Sequence, residues 1–162
     1  MQKYFKVTDS LIGDLVIIGN KAAITGLFLQ YDEFQNDNEK WGVIEASDDP
    51  LLMEAANQLN EYFHKKRKKF QLPLLVEGTP FQNAVWEELN NIPYGETRSY
   101  ADIAKAIHNE KAVRAVGQAN RVNRIPIIIP CHRVIGKNRQ LTGYAGNQIE
   151  KKEILLKIEG VL

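Results

Sequence analysis

Residues 99–121, Ser-Tyr-Ala-Asp-Ile-Ala-Lys-Ala-Ile-His-Asn-Glu-Lys-Ala-Val-Arg-Ala-Val-Gly-Gln-Ala-Asn-Arg, read as two short helices joined by a tight turn. Ser99, with Asp102 three residues on, has the form of a capping box, in which each side chain accepts from the other residue's backbone N–H. Ala101, Ala104 and Ile107 then recur at helical spacing and are expected to face inward. His108-Asn109-Glu110 supplies the link into a second helix over about Lys111 to Arg121, and the pair predicts a helix-turn-helix. In the second helix Val113, Val116 and Asn120 share one side, and Arg114, Gly117, Gln118 and Arg121 share the other. Glycine inside a helix costs about 1 kcal/mol relative to alanine, so Gly117 predicts the close approach of another backbone. An ordinary solvated basic helix is the alternative.

Downstream lies an apolar, strand-like run, Ile125 to Ile135, which ends in Pro130-Cys131-His132-Arg133-Val134 and carries the only cysteine. A thiol beside an imidazole is a candidate nucleophile: the thiolate is the reactive form, and Arg133 and a nearby imidazole both favour it if the fold brings them within range. The alternative is a small buried hydrophobe. Neighbours on an extended strand point to opposite faces, so Cys131 and His132 cooperate only if Pro130 or a turn bends the chain.

Upstream, Thr79-Pro80-Phe81-Gln82 is a capping box with proline at the first helical position, and Phe81, Val85, Leu89 and Ile92 line one face of the helix it opens, which Pro93-Tyr94-Gly95 ends. Residues 3 to 30 read as strands, with Leu11 to Ile18 and Ala22 to Leu29 flanking a Gly19-Asn20-Lys21 turn. A polar stretch, Gln30 to Lys40, precedes Asp49-Pro50, which opens a helix with Leu52, Ala55, Leu59 and Phe63 on its core face. Residues 71 to 79 read as a connector. The expected fold is α+β: a small N-terminal β-sheet and helix part, residues 1–72, packed on a mainly α-helical part, residues 73–162, that holds the helix-turn-helix.

The chain has 162 residues and a net charge of +1. One cysteine excludes an intramolecular disulfide, no apolar run approaches the roughly 20 residues that span a bilayer, and Met1 to Lys6 lacks a signal-peptide core, which together predict a cytoplasmic protein away from membranes. The charge is unevenly spread. Residues 1 to 72 carry nine Lys/Arg and eleven Asp/Glu, whereas residues 98 to 139 carry nine Lys/Arg (Arg98, Lys105, Lys111, Arg114, Arg121, Arg124, Arg133, Lys137, Arg139) against Asp102 and Glu110, a balance of +7. Cationic charge spread over some forty residues around the thiol points to a polyanion such as nucleic acid. The run Lys65 to Lys69 follows a helix end, where it complements the dipole and faces solvent.

Ile125 to Val134, read as IPIIIPCHRV, together with Arg114-Ala115-Val116-Gly117 and Asn123, resembles the O6-alkylguanine-DNA alkyltransferase family, the methylated-DNA–protein-cysteine methyltransferases. The resemblance extends through Gly78 to Gln82, Val85-Trp86 and Ile92 to Tyr100, and through Gly143 to Gly146, Lys152-Glu153, Leu155-Leu156 and Glu159-Gly160. It implies direct-reversal repair, in which Cys131 accepts the alkyl group of O6-alkylguanine, with activity on O4-alkylthymine left open, and is spent after one turnover. His132 is implied as the base, acting through a water and held by Glu159, with Asn123 bracing the turn. Arg114 is implied as the finger that fills the stack when the base is flipped, on a helix whose Ala115, Gly117, Gln118 and Arg121 meet the minor groove, where the small side chains of Gly117 and Ala119 permit approach. Tyr100 is implied to crowd the target phosphate and donate to the leaving guanine, and Val134, Tyr144 and Ala145 to line the base pocket.

The implied partner is double-stranded DNA bearing O6-alkylguanine, met by a monomer without cofactor. Two departures bear on this: the family often has Asn-Pro where this chain has Asn123-Arg124, and some members have serine at Ala145. Zinc near the N-terminus, found in some relatives, needs ligands this chain lacks there, since its other histidines are His64 and His108. Two other readings carry different chemistry. One is a non-catalytic protein that binds alkylated bases and recruits other repair factors, against which the cysteine argues; the other is a Cys-His hydrolase, which leaves the flipping residues unexplained.

Overall fold

Between Ser10 and Gly13 the chain reverses through Leu11 and Ile12, so the first sheet contains two hairpins. The computed structural model describes residues 2–136, 141 and 149–162, with the backbone alone for 37–41. Strands β1 (Lys3–Ser10), β2 (Gly13–Gly19) and β3 (Ile24–Phe28) pair antiparallel in sequence, and the short β4 (Ile44–Glu45) adds parallel to β1. Leu11, expected in a strand, is 60% exposed at this turn, where Ser10 Oγ accepts from the Ile12 N–H. The turn expected after Gly19 forms, because the Asn20 carboxamide oxygen accepts from both Ala22 and Ala23 N–H groups. Leu15, Val16, Ile17, Ile24 and Leu27 are buried, and helix α2 (Pro50–Phe63) adds Leu52, Ala55, Leu59 and Phe63. Its Asp49 cap accepts from the Leu52 N–H at 3.0 Å.

Two segments differ from their sequence reading. The polar stretch from Gln30 forms helix α1 (Tyr31–Trp41), because Phe34, 2% exposed, anchors it against Tyr4, Phe28 and Tyr31. One aromatic anchor in a polar segment gives no periodicity to read. The connector also adds backbone to the sheet: Ile24 donates to Pro73 O at 2.8 Å and accepts from the Leu75 N–H at 2.9 Å. Gln58 pairs reciprocally with the Gln71 backbone and fixes that path. The chain accordingly divides into two compact units, residues 1–76 and 77–162.

The second unit holds α3 (Pro80–Asn90), β5 (Arg98–Ser99), α4 (Tyr100–Ala106), α5 (Val113–Arg121), a 3-10 turn (Cys131–Arg133), β6 (Val134–Ile135) and α6 (Ile149–Ile158). Both capping boxes, Thr79 with Gln82 and Ser99 with Asp102, are formed. Trp86 on α3 donates to Ala119 O on α5 at 2.8 Å, locking these helices together. Strands β5 and β6 run parallel, pairing Ser99 with Ile135, so Tyr100 begins α4 directly beside the segment that carries the thiol.

Candidate active site

The apolar run around the cysteine is folded into turns. Ile128 N–H donates to Pro126 O at 2.9 Å across Ile127, whose φ of 72° is left-handed: a γ-turn of the rare, strained kind. A β-branched residue in that region costs on the order of 1–3 kcal/mol, which the surrounding bonds must offset. Cys131 N–H donates to Ile129 O at 2.8 Å across Pro130, whose φ of −81° and ψ of 64° are those of the common inverse γ-turn. Asn123 braces both turns, donating to Ile129 O at 2.8 Å and accepting from Ile125 N–H at 3.0 Å. Two prolines cannot donate to a ladder, so this segment bonds to itself and to Asn123. Of the strand expected over Ile125 to Ile135 only β6 (Val134–Ile135) forms, and Cys131 and His132 lie on a 3-10 turn.

Cys131 is 1% exposed and His132 fully buried. His132 Nε2 lies 2.5 Å from Glu159 Oε2. Burial raises the Glu159 carboxyl's pKa, but hydrogen bonds and charge from His132 and Arg133 outweigh it and bring the value to about 2. The ionised carboxylate can only accept, so the imidazole proton is on Nε2 and Nδ1 carries the lone pair. Burial lowers the His132 pKa against the attraction of Glu159, with Arg133 and Lys152 also lowering it. A neutral imidazole with a basic Nδ1 is the form a proton acceptor needs.

Arg133 changes role. It is 7% exposed, donating to Glu159 at 2.8 and 3.2 Å and to Ile92 O at 2.7 Å. A guanidinium held this way is matched by its own carboxylate and is withdrawn from the cationic surface to which its sequence position assigned it. Ile92 to Gly95 does more than end a helix: Tyr94 Oη donates to Ile158 O at 3.2 Å and Gly95 N–H to Glu159 at 3.2 Å, with Gly95 at a φ of 82°. Sequence reasoning missed this cradle, although the Pro-Tyr-Gly turn was its visible signal. It also gives no role to Lys152 on α6, which is wholly buried and donates to Val134 O at 2.5 Å.

On the second helix Arg114, Ala115, Gln118 and Arg121 are exposed and Gly117 half-buried, while Val116 and Asn120 face the core. Val113, at the start of α5, is 38% exposed. Three expectations are corrected. Ala119 is buried with its carbonyl on Trp86, so it faces away from any groove. The nearest neighbour of a Cβ at Gly117 is the Tyr100 ring, at 3.9 Å, and among the described residues no backbone from outside its own helix comes within 4 Å of it. In α4 the inward residues are Ile103 and Ala104 while Ala101 is exposed, because Tyr100 is the first helical residue and its inward row continues through Ile103 and Ala104. Tyr144, Ala145, Lys137 and Arg139 lie outside the described residues. Among the described residues no group of three or more His, Cys, Asp or Glu could hold a metal ion, and no helix is long and apolar enough to cross a membrane.

A helix-turn-helix joined through a short parallel ladder to a buried Cys-His-Glu centre defines a class of α+β protein in which a nucleic-acid-binding motif serves a thiol. The chain belongs to the 6-O-methylguanine DNA methyltransferase family: residues 80–161 match its DNA binding domain and residues 3–76 its ribonuclease-like domain. It is 51% identical over 158 residues to the constitutive methylated-DNA–protein-cysteine methyltransferase of Bacillus subtilis, covering 98% of this chain and 96% of that protein. The enzyme of the same name from Methanosarcina acetivorans is 45% identical, covering 97% and 98%. Among solved structures, the Mycobacterium tuberculosis O6-methylguanine methyltransferase superposes with a TM-score of 0.89 at 41% identity, covering 98% of this chain and 93% of that one. The Mycobacterium tuberculosis OGT in complex with DNA gives 0.85 at 40% identity, covering 97% and 92%.

Proposed function

We propose that the protein repairs alkylated DNA by direct reversal, moving the alkyl group of O6-alkylguanine onto its own Cys131 in a single irreversible turnover. One observation carries the assignment of roles: His132, neutral and held through Nε2 by the ionised Glu159, directly follows the only cysteine on a 3-10 turn. His132 takes the thiol proton at Nδ1 through a water, and the thiolate attacks the alkyl carbon. The S–C bond forms as the C–O6 bond breaks, the electron pair leaves on guanine, and guanine takes up the proton the thiol gave up. The thioether has no route back to thiol, so each molecule acts once.

The substrate base is stacked in a duplex and must be turned out, at a cost of a few kcal/mol. Arg114, exposed on α5, fills the gap it leaves, while Ala115, Gly117, Gln118 and Arg121 follow the minor groove. Tyr100 approaches the target phosphate and donates to the leaving guanine, and Val134, Tyr144 and Ala145 form the base pocket. The partner is double-stranded DNA bearing the lesion, bound by a monomer through the segment from residue 73 onward. Intact-mass measurement after incubation with an O6-methylguanine duplex tests the reading: one methyl group is gained, once, at Cys131, and Cys131→Ala binds the duplex without gaining it. Repair of many lesions per molecule, or methyl on another residue, refutes it.

A further inference from the structure

Lys152 is the one lysine among the described residues with no exposed surface. Burying an ammonium is costly, and a lysine serving only to fill space is readily replaced by methionine or leucine. Its position points to a use. Nζ donates to the carbonyl of Val134, and the Val134 N–H closes the 3-10 turn by donating to Cys131 O. The Cys131 carbonyl also accepts from the buried Asn120 Nδ2 at 3.4 Å. The ammonium is therefore seated one residue beyond the turn that presents the nucleophile.

The charges around it are accounted for in opposed directions. From the 3-10 turn, Arg133 is matched by Glu159, and His132 is held neutral. Burial lowers the Lys152 pKa from 10.5 to about 8, and the negative charge of Cys131 works against that fall. At neutral pH Lys152 thus remains charged, seated on the carbonyl of the residue whose N–H closes the turn at Cys131.

We propose that Lys152 is a positioning residue for alkyl transfer, its buried ammonium holding the Val134 carbonyl and standing as the counter-charge of the Cys131 thiolate. The inference rests on Cys131 being the alkyl acceptor. Lys152 gives up no proton in the reaction: the negative charge it faces leaves with guanine as the S–C bond forms, and guanine takes the proton held on His132. The site is then left with an ammonium beside a neutral thioether.

Because Cys131 is the only cysteine, the ultraviolet absorbance of thiolate titrates it alone. Lys152→Met and Lys152→Gln in the full chain should both raise the pH at which that absorbance appears, and should lower the single-turnover rate with free O6-benzylguanine by up to about tenfold for each unit of that rise in buffers below the wild-type titration, with recovery in alkaline buffer. Glutamine can still donate to Val134 O but carries no charge. A Lys152→Gln protein with wild-type titration and pH profile overturns the proposal, and it decides the matter even if the methionine variant does not fold. The titration needs no substrate. Failure of the wild-type protein to gain an alkyl group therefore refutes the proposed function while leaving the test of Lys152 intact.

Discussion

Replacing Arg133 by methionine removes a guanidinium from a site where the residue is only 7% exposed. Glu159 loses two of its hydrogen bonds, at 2.8 and 3.2 Å, and Ile92 O loses a donor at 2.7 Å. Two routes give the size of the loss. The fall of the Glu159 carboxyl from 4.5 to about 2 is worth about 3 kcal/mol, shared between His132 and Arg133. Removing one partner of a buried ion pair costs about 3–5 kcal/mol, since the other charge stays buried. A loss of about 3 kcal/mol at pH 7 is therefore expected.

Urea unfolding followed by the fluorescence of Trp86, in a Trp41→Phe background, reads the unit concerned; Arg121→Met, on the exposed face of α5, should change stability by less than about 0.5 kcal/mol. The pH dependence has a definite sign. A carboxyl lowered on folding contributes stability above its unfolded pKa, and that contribution is lost as pH falls from about 4.5 towards 2. The gap between wild type and Arg133→Met should close across that interval. A loss under about 1 kcal/mol, or a gap indifferent to pH, would refute the buried-pair reasoning and return Arg133 to the DNA-facing surface.

Arg114→Ala should slow repair in duplex DNA far more than reaction with free O6-benzylguanine, which needs no flipping, and Arg114→Lys should restore only part of the loss because it lacks a planar group to stack; equal losses on both substrates in single-turnover assays would sink the finger role. DNA affinity should fall steeply with salt through the exposed Lys105, Lys111, Arg114, Arg121 and Arg124, and Arg133→Met should leave that slope unchanged. Gly78→Ala sets a methyl carbon 2.5 and 2.7 Å from the Trp86 ring and should destabilise the second unit by about 1–3 kcal/mol, measured by the same urea unfolding; an unchanged midpoint would mean that the indole moves aside freely.

Helix ends were legible because their signals are local: Asp49-Pro50, Thr79 with Gln82, and Ser99 with Asp102 each specify a cap within four residues. The Cys-His-Arg sequence was equally visible, but which charge each residue meets depends on Glu159, twenty-seven positions from His132. Arg133 therefore counts, on sequence, both as a neighbour favouring the thiolate and as part of the basic segment, although it is the buried partner of Glu159. The run from Ile125 misled for another reason. Five isoleucines and a valine suggest a strand, whereas two prolines and the side chain of Asn123 dictate turns, and hydrophobic periodicity does not record who bonds to whom. Lys152 enters the sequence reading only as one residue of the resemblance, with no sign of its burial, since a lysine in a helix is ordinarily solvated.

The 1% exposure of Cys131 has a consequence for the life of the molecule before it meets a lesion. A protein that can act once must arrive with its sulfur unspent, in a cell where peroxides, disulfides and stray electrophiles consume exposed thiolates. A reactive sulfur on the surface would be depleted by such encounters in proportion to its own nucleophilicity. Held in a braced turn at near-zero exposure, it reacts with what can reach it there, so access and not intrinsic reactivity determines what it meets. The stiffness of the segment from Asn123 to Val134 thus acts as a form of storage: it keeps the reagent intact during the search along undamaged DNA.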